Sequence, residues 1–452
     1  MRQDREQRSL SAEEAVALAR RDPVGLRRRF AGMHTADIAE LLLDCATNDE
    51  RLLLLRYIPD EKQGDVLLDL PEGMQETLLA SLHPEAIGDV VEHLDSDDAT
   101  DLLQAVDRSV ADEVIGQLEP EEQREIKPLL GYDEESAGGL MQAELFKVRA
   151  DWSAGRVLKV LRRWGREIGN LHYIYVVDDD DRLVGLLSLH DLLFLEPDQP
   201  VLDAAERNFV TVTPQQDQET VAQLFDKYDL LAVPVVDERG VLVGRITADD
   251  IIDVVNEEAT EDMFRLAALS DQDDLSEPVS RTAWRRGVWL LVNLVTAILA
   301  STVIAQFQQT ISRVVALAVL MPIVASMGGI AGTQTLTVIV RGIALGRVTL
   351  ANAGRALVKE VLVSVVTGTF FALLMGVVAL FWFPALGMKL GVVIAAAMLI
   401  NLLAAGLAGA LIPLTLQRLH IDPALASGTV LTTVTDVVGF FAFLGLASRI
   451  LL

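Results

Sequence analysis

A single carboxylate interrupts the last apolar segment of the sequence. Asp436 lies near the middle of residues 425–447, which are otherwise apolar, small or hydroxyl-bearing. An ionised carboxylate at the centre of a bilayer costs about 2.5–3.5 kcal/mol even on lenient scales, so it must face water or a partner. Thr432 lies one helical turn before it and Gly439 about one turn after it. This stripe predicts a functional site beside water, with a hydrogen bond to a neighbouring helix as the alternative.

Small and helix-weakening residues mark a second apolar segment. Pro322 is followed by residues 326–334, SMGGIAGTQ. Pro and Gly weaken a helix, so backbone carbonyls in this segment could lose their helical hydrogen bonds. Inside a membrane such carbonyls are tolerated only where protein or a water-filled path covers them. Close packing of helices through small residues explains the same pattern. Asn293 and Asn401 add polar groups in two other apolar segments, either as pore lining or as hydrogen bonds between helices. The candidate pore-lining residues are Thr432, Gly328, Gly329 and Asn401.

A run of carboxylates follows in what the pattern predicts to be one helix. Its members are Asp250, Asp253, Glu257, Glu258, Glu261 and Asp262. Most are separated by three or four residues, so they share a helix face and repel one another. A hard divalent cation, bound through carboxylate oxygens or through its own waters, would offset that repulsion. A solvated acidic face is the alternative.

The middle of the chain contains an internal repeat. Residues 175–193 recur without gaps as residues 234–252, and Gly185 matches Gly244. Each copy has an apolar strand, an acidic turn, a second strand and a Ser/Thr-x-x-Asp helix start. This pattern resembles tandem cystathionine-β-synthase (CBS) domains.

The Ser/Thr-x-x-Asp turns are candidate nucleotide sites. In nucleotide-binding CBS pairs, the resemblance implies, such residues hold a ribose while the helix N-terminus favours phosphate. Here they are Ser188 with Asp191 and Thr247 with Asp250. A helix cap accounts for the same residues without a ligand.

Charge divides the chain of 452 residues into two parts. Residues 277–452 contain four acidic and eleven basic residues, which leaves 61 acidic and 27 basic residues in 1–276. Such an acidic part argues against nucleic acid as a partner, because phosphate backbones are bound by Lys and Arg. It favours cations, or simply solubility. The sequence also has no nucleophile–base grouping, phosphate loop or metal triad, so an enzyme is not expected.

Five apolar segments are long enough to cross a bilayer, which requires about 20 residues each. They span residues 287–307, 314–340, 361–383, 390–416 and 425–448. Eight basic residues flank them on one side and three on the other. The bias predicts a cytoplasmic N-terminus and an external C-terminus, and the charged start of the chain lacks a signal-like apolar core.

The first 130 residues are typical of short amphipathic helices. Capping or acidic residues precede apolar runs, as at residues 95–98, DSDD, before ATDLLQAV. A stacked array of helical hairpins is the expected fold. Cys45 is the single cysteine, which excludes an intramolecular disulfide and predicts a packing role.

The whole chain resembles the MgtE magnesium transporters, which are related to the animal solute-carrier magnesium transporters. The motifs that carry the resemblance are residues 133–141, DEESAGGLM, the Gly-rich second span, residues 422–428, DPALASG, and residues 432–439, TTVTDVVG. Ile330 departs from the family, which usually has Asn in its Gly-Gly-Asn-x-Gly-x-Gln motif.

The resemblance implies a multidomain membrane protein. It would combine an all-α superhelical N-terminal domain of helical hairpins, α/β tandem CBS domains and a five-helix α transmembrane domain. The expected boundaries are 1–132 for the helical domain, 133–199 and 200–256 for the CBS domains, 257–283 for a connecting helix and 284–452 for the transmembrane domain.

The resemblance also implies a function. A homodimer in the bacterial inner membrane would conduct Mg²⁺ between two copies of Asp436, and cytoplasmic Mg²⁺ would close it by bridging acidic residues, with ATP on Asp191 as in some relatives. By position, the regulatory candidates are Asp95, Asp217, Glu219, Asp229, Asp250, Asp253, Glu257, Glu258, Glu261, Asp262 and Asp422. The alternatives are transport of Mn²⁺, Co²⁺ or Zn²⁺, and a membrane-anchored sensor of metal or nucleotide that transports nothing.

Overall fold

A computed structural model describes residues 10–164, 171–267, 269, 279–425 and 427–452. The chain divides into two units between Val255 and Asn256. Each unit is described by itself.

The first unit begins with short helices joined by tight turns. Between residues 10 and 130 they are α1 Ala12–Arg21, α2 Pro23–Ala31, α3 Thr35–Leu43, α4 Asn48–Leu55, α5 Asp60–Leu68, α6 Glu72–Leu79, α7 Pro84–Val91, α8 Ser96–Gln104, α9 Arg108–Gln117 and α10 Glu122–Leu129. Side chains satisfy free backbone N–H groups at several starts; for example, Ser11 Oγ accepts from the Glu14 N–H at 3.2 Å. Helices two apart in sequence pack together along one apolar core that includes Leu26, Phe30 and Ile38. The predicted all-α helical domain is confirmed, and Cys45 is buried beside this core.

The two copies of the repeat follow in the same unit. Their elements are β1 Lys147–Arg149, α11 Ala154–Trp164, β2 Tyr173–Val177, β3 Leu183–Ser188, α12 Leu189–Leu192, α13 Gln218–Tyr228, β4 Ala232–Val236, β5 Leu242–Thr247 and α14 Ala248–Leu266. β1 is parallel to β2, whereas β2–β3 and β4–β5 are antiparallel. The copies join through equivalent turns: the Leu183 N–H donates to the Gly240 carbonyl and the Leu242 N–H to the Asp181 carbonyl. The predicted tandem α/β arrangement is confirmed.

Long apolar helices form the second unit. They are α15 Val279–Gln306, α16 Gln308–Arg313, α17 Ala316–Ala344, α18 Ala353–Trp382, α19 Gly387–Arg418 and α20 Ser427–Ile450. Among the described residues, five are long and apolar enough to cross a membrane, as the sequence predicted. Several begin or end beyond the predicted limits because helical hydrogen bonding continues into flanking residues that are too polar to count as apolar.

Glycines allow the antiparallel helices α18 and α19 to approach closely. A Cβ atom on Gly391 would lie 2.9 Å from the carbonyl oxygen of Gly376. Nearer the start of α18, a Cβ atom on Gly406 would lie 1.9 Å from Ser364 Oγ. The start of α18 and the end of α19 therefore lie at the same end of the bundle.

The first residues of the expected connecting helix, 257–266, belong to a helix that begins earlier in the chain. α14 continues without a break from Ala248 to Leu266, because neither Gly nor Pro occurs in this stretch. The proposed boundary at 256/257 thus falls inside a helix. Residues 268 and 270–278 of the expected helix lie outside the described residues.

Candidate functional site

Asp436 lies on the middle turns of α20 and is half-buried. Thr432, one turn earlier, is exposed, and its hydroxyl donates to its own helix, to the Gly428 carbonyl at 2.9 Å. Within the part of the chain that the structure describes, no hydrogen bond or ion pair of the Asp436 carboxylate is found. The carboxylate therefore remains available on a polar stripe of one transmembrane helix.

The Gly-rich segment forms an uninterrupted helix. α17 continues from Ala316 to Ala344 through Pro322, which removes one backbone N–H without ending the helix. Gly328 is buried, whereas the position of a Cβ on Gly329 has no atom within 4 Å. Ile330, which stands where the family usually has Asn, is 54% exposed. Of the two interpretations that the sequence left open, the unbroken helix favours close packing through small residues, which explains Gly328.

Asn401 joins three helices at the centre of the bundle. It is fully buried on α19, and its Nδ2 donates to the Val324 carbonyl of α17 at 2.8 Å. Gly328 of α17 and Gly439 of α20 leave the space for the amide: Cβ atoms there would lie 2.2 and 2.7 Å from Asn401 Nδ2. The structure thus places Asn401 between helices and not on an exposed face. Its predicted pore-lining role has no support from this position.

A cluster of charges surrounds the start of α20. Arg265, near the end of α14, forms ion pairs with Glu261 of its own helix and with Asp422 of the loop before α20. Burial, then the nearby Asp422 and Glu258 carboxylates, raises the pKa of Asp262 to about 6, and Arg341 opposes the rise. We call Glu261, Asp262, Arg265 and Asp422 the mouth cluster.

Apolar contacts fix the mouth cluster. Leu266 packs against Leu336 and Val340 of α17 and against Ala424 and Leu431 around the start of α20. The last turn of α14 is therefore held beside the helix that carries Asp436. The sequence predicted the acids of this cluster, but it did not identify Arg265.

A second acidic cluster lies in the first unit, where the start of α8 faces the start of α14. Asp97 is only 5% exposed, and burial, with the charges of Asp98 and Asp250, raises its pKa well above the ordinary value. Burial, followed by the charges of Asp101, Asp250, Asp95 and Asp65, raises the pKa of Asp98 to about 7. Burial likewise raises the pKa of Asp250. We call Asp95, Asp97, Asp98 and Asp250 the interdomain cluster.

Glu144 holds α8 in this position. Its carboxylate accepts from the Ser96 N–H at 3.0 Å and from the Ser96 hydroxyl at 2.9 Å. Ser96 Oγ in turn accepts from the Ala143 N–H at 2.8 Å. The segment that enters the first repeat thus caps α8 and brings its acidic first turn toward Asp250.

The remaining predicted metal ligands are more scattered. Asp217 caps α13 and accepts from the Glu219 N–H at 3.0 Å, and Asp229 ends the same helix with a left-handed backbone. Asp253 and Glu257 are exposed, and Glu258 is half-buried. Among the described residues, no group of three His, Cys, Asp or Glu side chains is arranged to hold a metal ion directly. Contact through the waters of Mg²⁺ is compatible with such spacing.

The two Ser/Thr-x-x-Asp turns form helix caps in different environments. Ser188 Oγ donates to Asp191 Oδ2 at 2.6 Å, and Thr247 Oγ1 donates to Asp250 Oδ2 at 2.7 Å. Asp191 is exposed, and the Ser188 hydrogen bond lowers its pKa. Asp250 instead faces the interdomain cluster. Only the first copy therefore leaves its carboxylate open to a solvent-borne ligand.

Three family profiles match most of the chain. The profile of the MgtE divalent cation transporters matches residues 321–446, that of the MgtE intracellular N domain matches 33–135, and that of the CBS domain matches 137–198 and 201–257. Magnesium transporter MgtE of Thermus thermophilus is 36% identical over 99% of both chains. The Bacillus subtilis transporter of the same name is 30% identical over 88% of both.

A solved structure is also similar to the first unit. The cytosolic domain of the Mg²⁺ channel MgtE in complex with ATP is 36% identical, with a TM-score of 0.50. The match covers 53% of this chain and 97% of that one. Matches to inosine-5'-monophosphate dehydrogenases cover at most 25% of the chain and correspond to CBS domains alone.

Replacing Asn401 by Leu tests the three-helix junction. The variant loses the hydrogen bond to Val324 and places a branched side chain against Gly328 and Gly439, so we expect a loss of about 1–2 kcal/mol in stability. The thermal unfolding midpoint of the purified full chain measures it. Asn293→Leu is the control, because in the described part of the chain Asn293 Nδ2 donates only to the Trp289 carbonyl of its own helix. Equal midpoints for the two variants would contradict the junction.

The interdomain cluster predicts that, in the absence of Mg²⁺, the stability of the docked arrangement of α8 depends on pH. Because its carboxyl pKa values are raised, the docked arrangement holds protons that separated helices release, and its stability falls as the pH rises through about 7. We expect protease resistance around residues 96–104 of the chelator-treated full chain to fall between about pH 5 and pH 8. Mg²⁺ should restore it, and Asp98→Asn should flatten the profile. Protease resistance of the unaltered chain that does not change with pH would contradict the link between protonation of this cluster and docking of α8.

Proposed function

Because the chain belongs to the MgtE family of divalent cation transporters, whose named relatives are magnesium transporters, we infer that it transports Mg²⁺ across a membrane, beside Asp436. Transport and not catalysis is the activity of this family. The relatives favour Mg²⁺ over Mn²⁺, Co²⁺ and Zn²⁺, and their agreement over nearly the whole length disfavours a sensor that transports nothing.

The observation that carries the transport site is Asp436, which is half-buried on a polar stripe of α20 and has no hydrogen bond or ion pair among the described residues. One helix face cannot enclose water, but a second copy facing it would complete the path, so we propose a homodimer. Mg²⁺ gives up its waters reluctantly and is readily held through them by one or two carboxylates. Two Asp436 side chains would therefore attract the hydrated ion and release it again.

The mouth cluster supports a gate at the start of α20. Arg265 pairs with both Glu261 and Asp422, so a single positive charge meets two negative charges there. Burial, and then the Asp422 and Glu258 carboxylates, raises the pKa of Asp262 beside them. Mg²⁺ would complete the neutralisation and favour the docked end of α14, because a ligand shifts an equilibrium toward the state that it binds better. The interdomain cluster is a further candidate site for the regulating ion, as are the exposed Asp217, Asp229, Asp253 and Glu257 and the half-buried Glu219 and Glu258.

Orientation and ATP binding are part of the proposal. The basic bias of the loops supports a cytoplasmic N-terminus, an external C-terminus and a place in the bacterial inner membrane. The exposed Asp191 beside Ser188, together with the ATP complex of the similar cytosolic domain, supports ATP at the first CBS copy. Thr247 is a weaker candidate, because it is buried and caps the helix that carries Asp250.

Removing the charge of Asp436 tests the transport site. We expect Asp436→Asn to reduce Mg²⁺ flux into proteoliposomes about tenfold or more, since the amide attracts the hydrated cation far less, and to fail to rescue a magnesium-requiring bacterial strain. Glu360→Gln is a matched control. Glu360 is buried in α18, and its one hydrogen bond among the described residues comes from the Thr335 hydroxyl, which an amide oxygen also accepts. Normal flux through Asp436→Asn would refute the site.

Replacing Arg265 by Gln tests the gate. Two carboxylates of the mouth cluster lose their counter-ion, so more internal Mg²⁺ should be needed to stop the flux, by roughly threefold to tenfold for a loss of about 1 kcal/mol. Flux as a function of the Mg²⁺ concentration on the N-terminal side measures the shift. Arg313→Gln, an exposed residue of α16, is the control. An unchanged or lower threshold would count against the gate.

A further inference from the structure

A groove with an apolar floor lies on the outer surface of α18. It has a volume of about 670 Å³, and Val358, Leu362, Val363 and Val366 line it. These residues follow one side of the helix, and Val358, Leu362 and Val366 are well exposed. From Val358 to Val366 the groove covers about 12 Å of helix, which is less than half of a hydrocarbon core of about 30 Å. This length suits one acyl chain of a single leaflet.

Two basic side chains line the same groove at its N-terminal end. Arg355 and Lys359 are exposed and lie one helical turn apart. Among the described residues neither forms an ion pair. The adjacent acid, Glu360, is buried and accepts a hydrogen bond from Thr335, so it does not serve as their counter-ion. Two positive charges therefore stand unneutralised where the apolar floor begins.

A second groove of about 600 Å³ adjoins the first, and Gly354 lines both. It lies between α18 and α19, where Leu357, Leu411 and Thr415 line it and Arg418 supplies a third exposed cation. The described part of the chain shows no ion pair for Arg418 either. The basic residues of both grooves thus gather at the shared end of the two helices.

We propose that these grooves bind an anionic phospholipid, with its phosphate near Arg355, Lys359 and Arg418 and an acyl chain along α18. Basic pockets between transmembrane helices recognise such headgroups. A neutral lipid would leave the three cations without counter-charge. A second copy of the chain meeting this surface symmetrically would bring like charges together, and free phosphate would leave the apolar floor uncovered. The site depends on the membrane helices alone and is independent of the Mg²⁺ path.

The test measures lipid binding by the full chain. The protein is purified, delipidated and titrated with phosphatidylglycerol or phosphatidylcholine, and native mass spectrometry gives the bound fraction. Each basic residue near an anionic surface contributes a factor of about five, so Arg355→Gln/Lys359→Gln should weaken phosphatidylglycerol binding about thirtyfold. Gly354→Leu should weaken it about tenfold or more by filling the space that both grooves share. No atom lies within 4 Å of its Cβ position, so we expect the variant to fold.

Two control variants distinguish loss of this site from the general effect of removing a charge or adding a bulky side chain. Lys389→Gln removes an exposed charge at the opposite end of α19, and Gly287→Leu adds bulk at an exposed helical glycine of α15 with equal free space. Both should bind phosphatidylglycerol as the unaltered chain does. Equal binding of the two lipids, equal loss in the controls, or displacement of the lipid by millimolar inorganic phosphate would overturn the proposal. So would a change in the mass of the assembly on Gly354→Leu without loss of lipid.

Discussion

An ionised carboxylate in the apolar part of a membrane requires water, a cation or a hydrogen-bond donor, and this requirement governs the second unit. Two acids lie within its apolar helices. Glu360 is buried and receives the Thr335 hydroxyl, whereas Asp436 is half-buried and receives no such bond among the described residues. Gly439, three residues after Asp436, lies at a closely packed junction: Asn401 bonds α19 to α17, and Gly328 and Gly439 leave the space for its amide.

Charge neutralisation recurs outside the membrane helices by different means. In the mouth cluster an arginine of the chain itself meets Glu261 and Asp422. In the interdomain cluster bound protons reduce the negative charge, because burial and neighbouring acids raise the pKa values of Asp97 and Asp98. Both arrangements have more acidic groups than positive charges, and under the proposed function a divalent cation would supply the missing charge. Acidic residues that repel one another are therefore suited to respond to the concentration of a cation.

The sequence predicted the architecture because each part of the chain carries a recognisable local pattern. Apolar segments of membrane length, a repeat without gaps and caps before short helices are all local signals, and the five spans and the α/β pair followed from them. The ends of the spans and the continuity of α14 did not, because polar residues extend a helix without an apolar signal. Gly328 was correctly recognised as unusual, but only packing against Asn401 decides between a broken helix and a close contact.

Fewer of the candidate site residues than of the structural elements could be predicted from the sequence. Asp436, Asp250 and Asp422 stood out by type and position. Asp97, Asp98, Glu144 and Arg265 did not, since residues 95–98 also fit a helix cap and Arg265 is one arginine among many. Their roles depend on which surfaces meet, and on the burial that results. A spacing of three between Asp95 and Asp98, which puts both on one helix face, was the one available signal.

The most direct measurement is a structure of the full chain in a lipid nanodisc with Mn²⁺, located by its anomalous or element-specific signal. The account predicts metal density on a water-filled axis between the Asp436 side chains of two copies, joined to them through ordered water. An Asp436 side chain that faces lipid, or that bonds to a neighbouring helix away from any aqueous path, would contradict it.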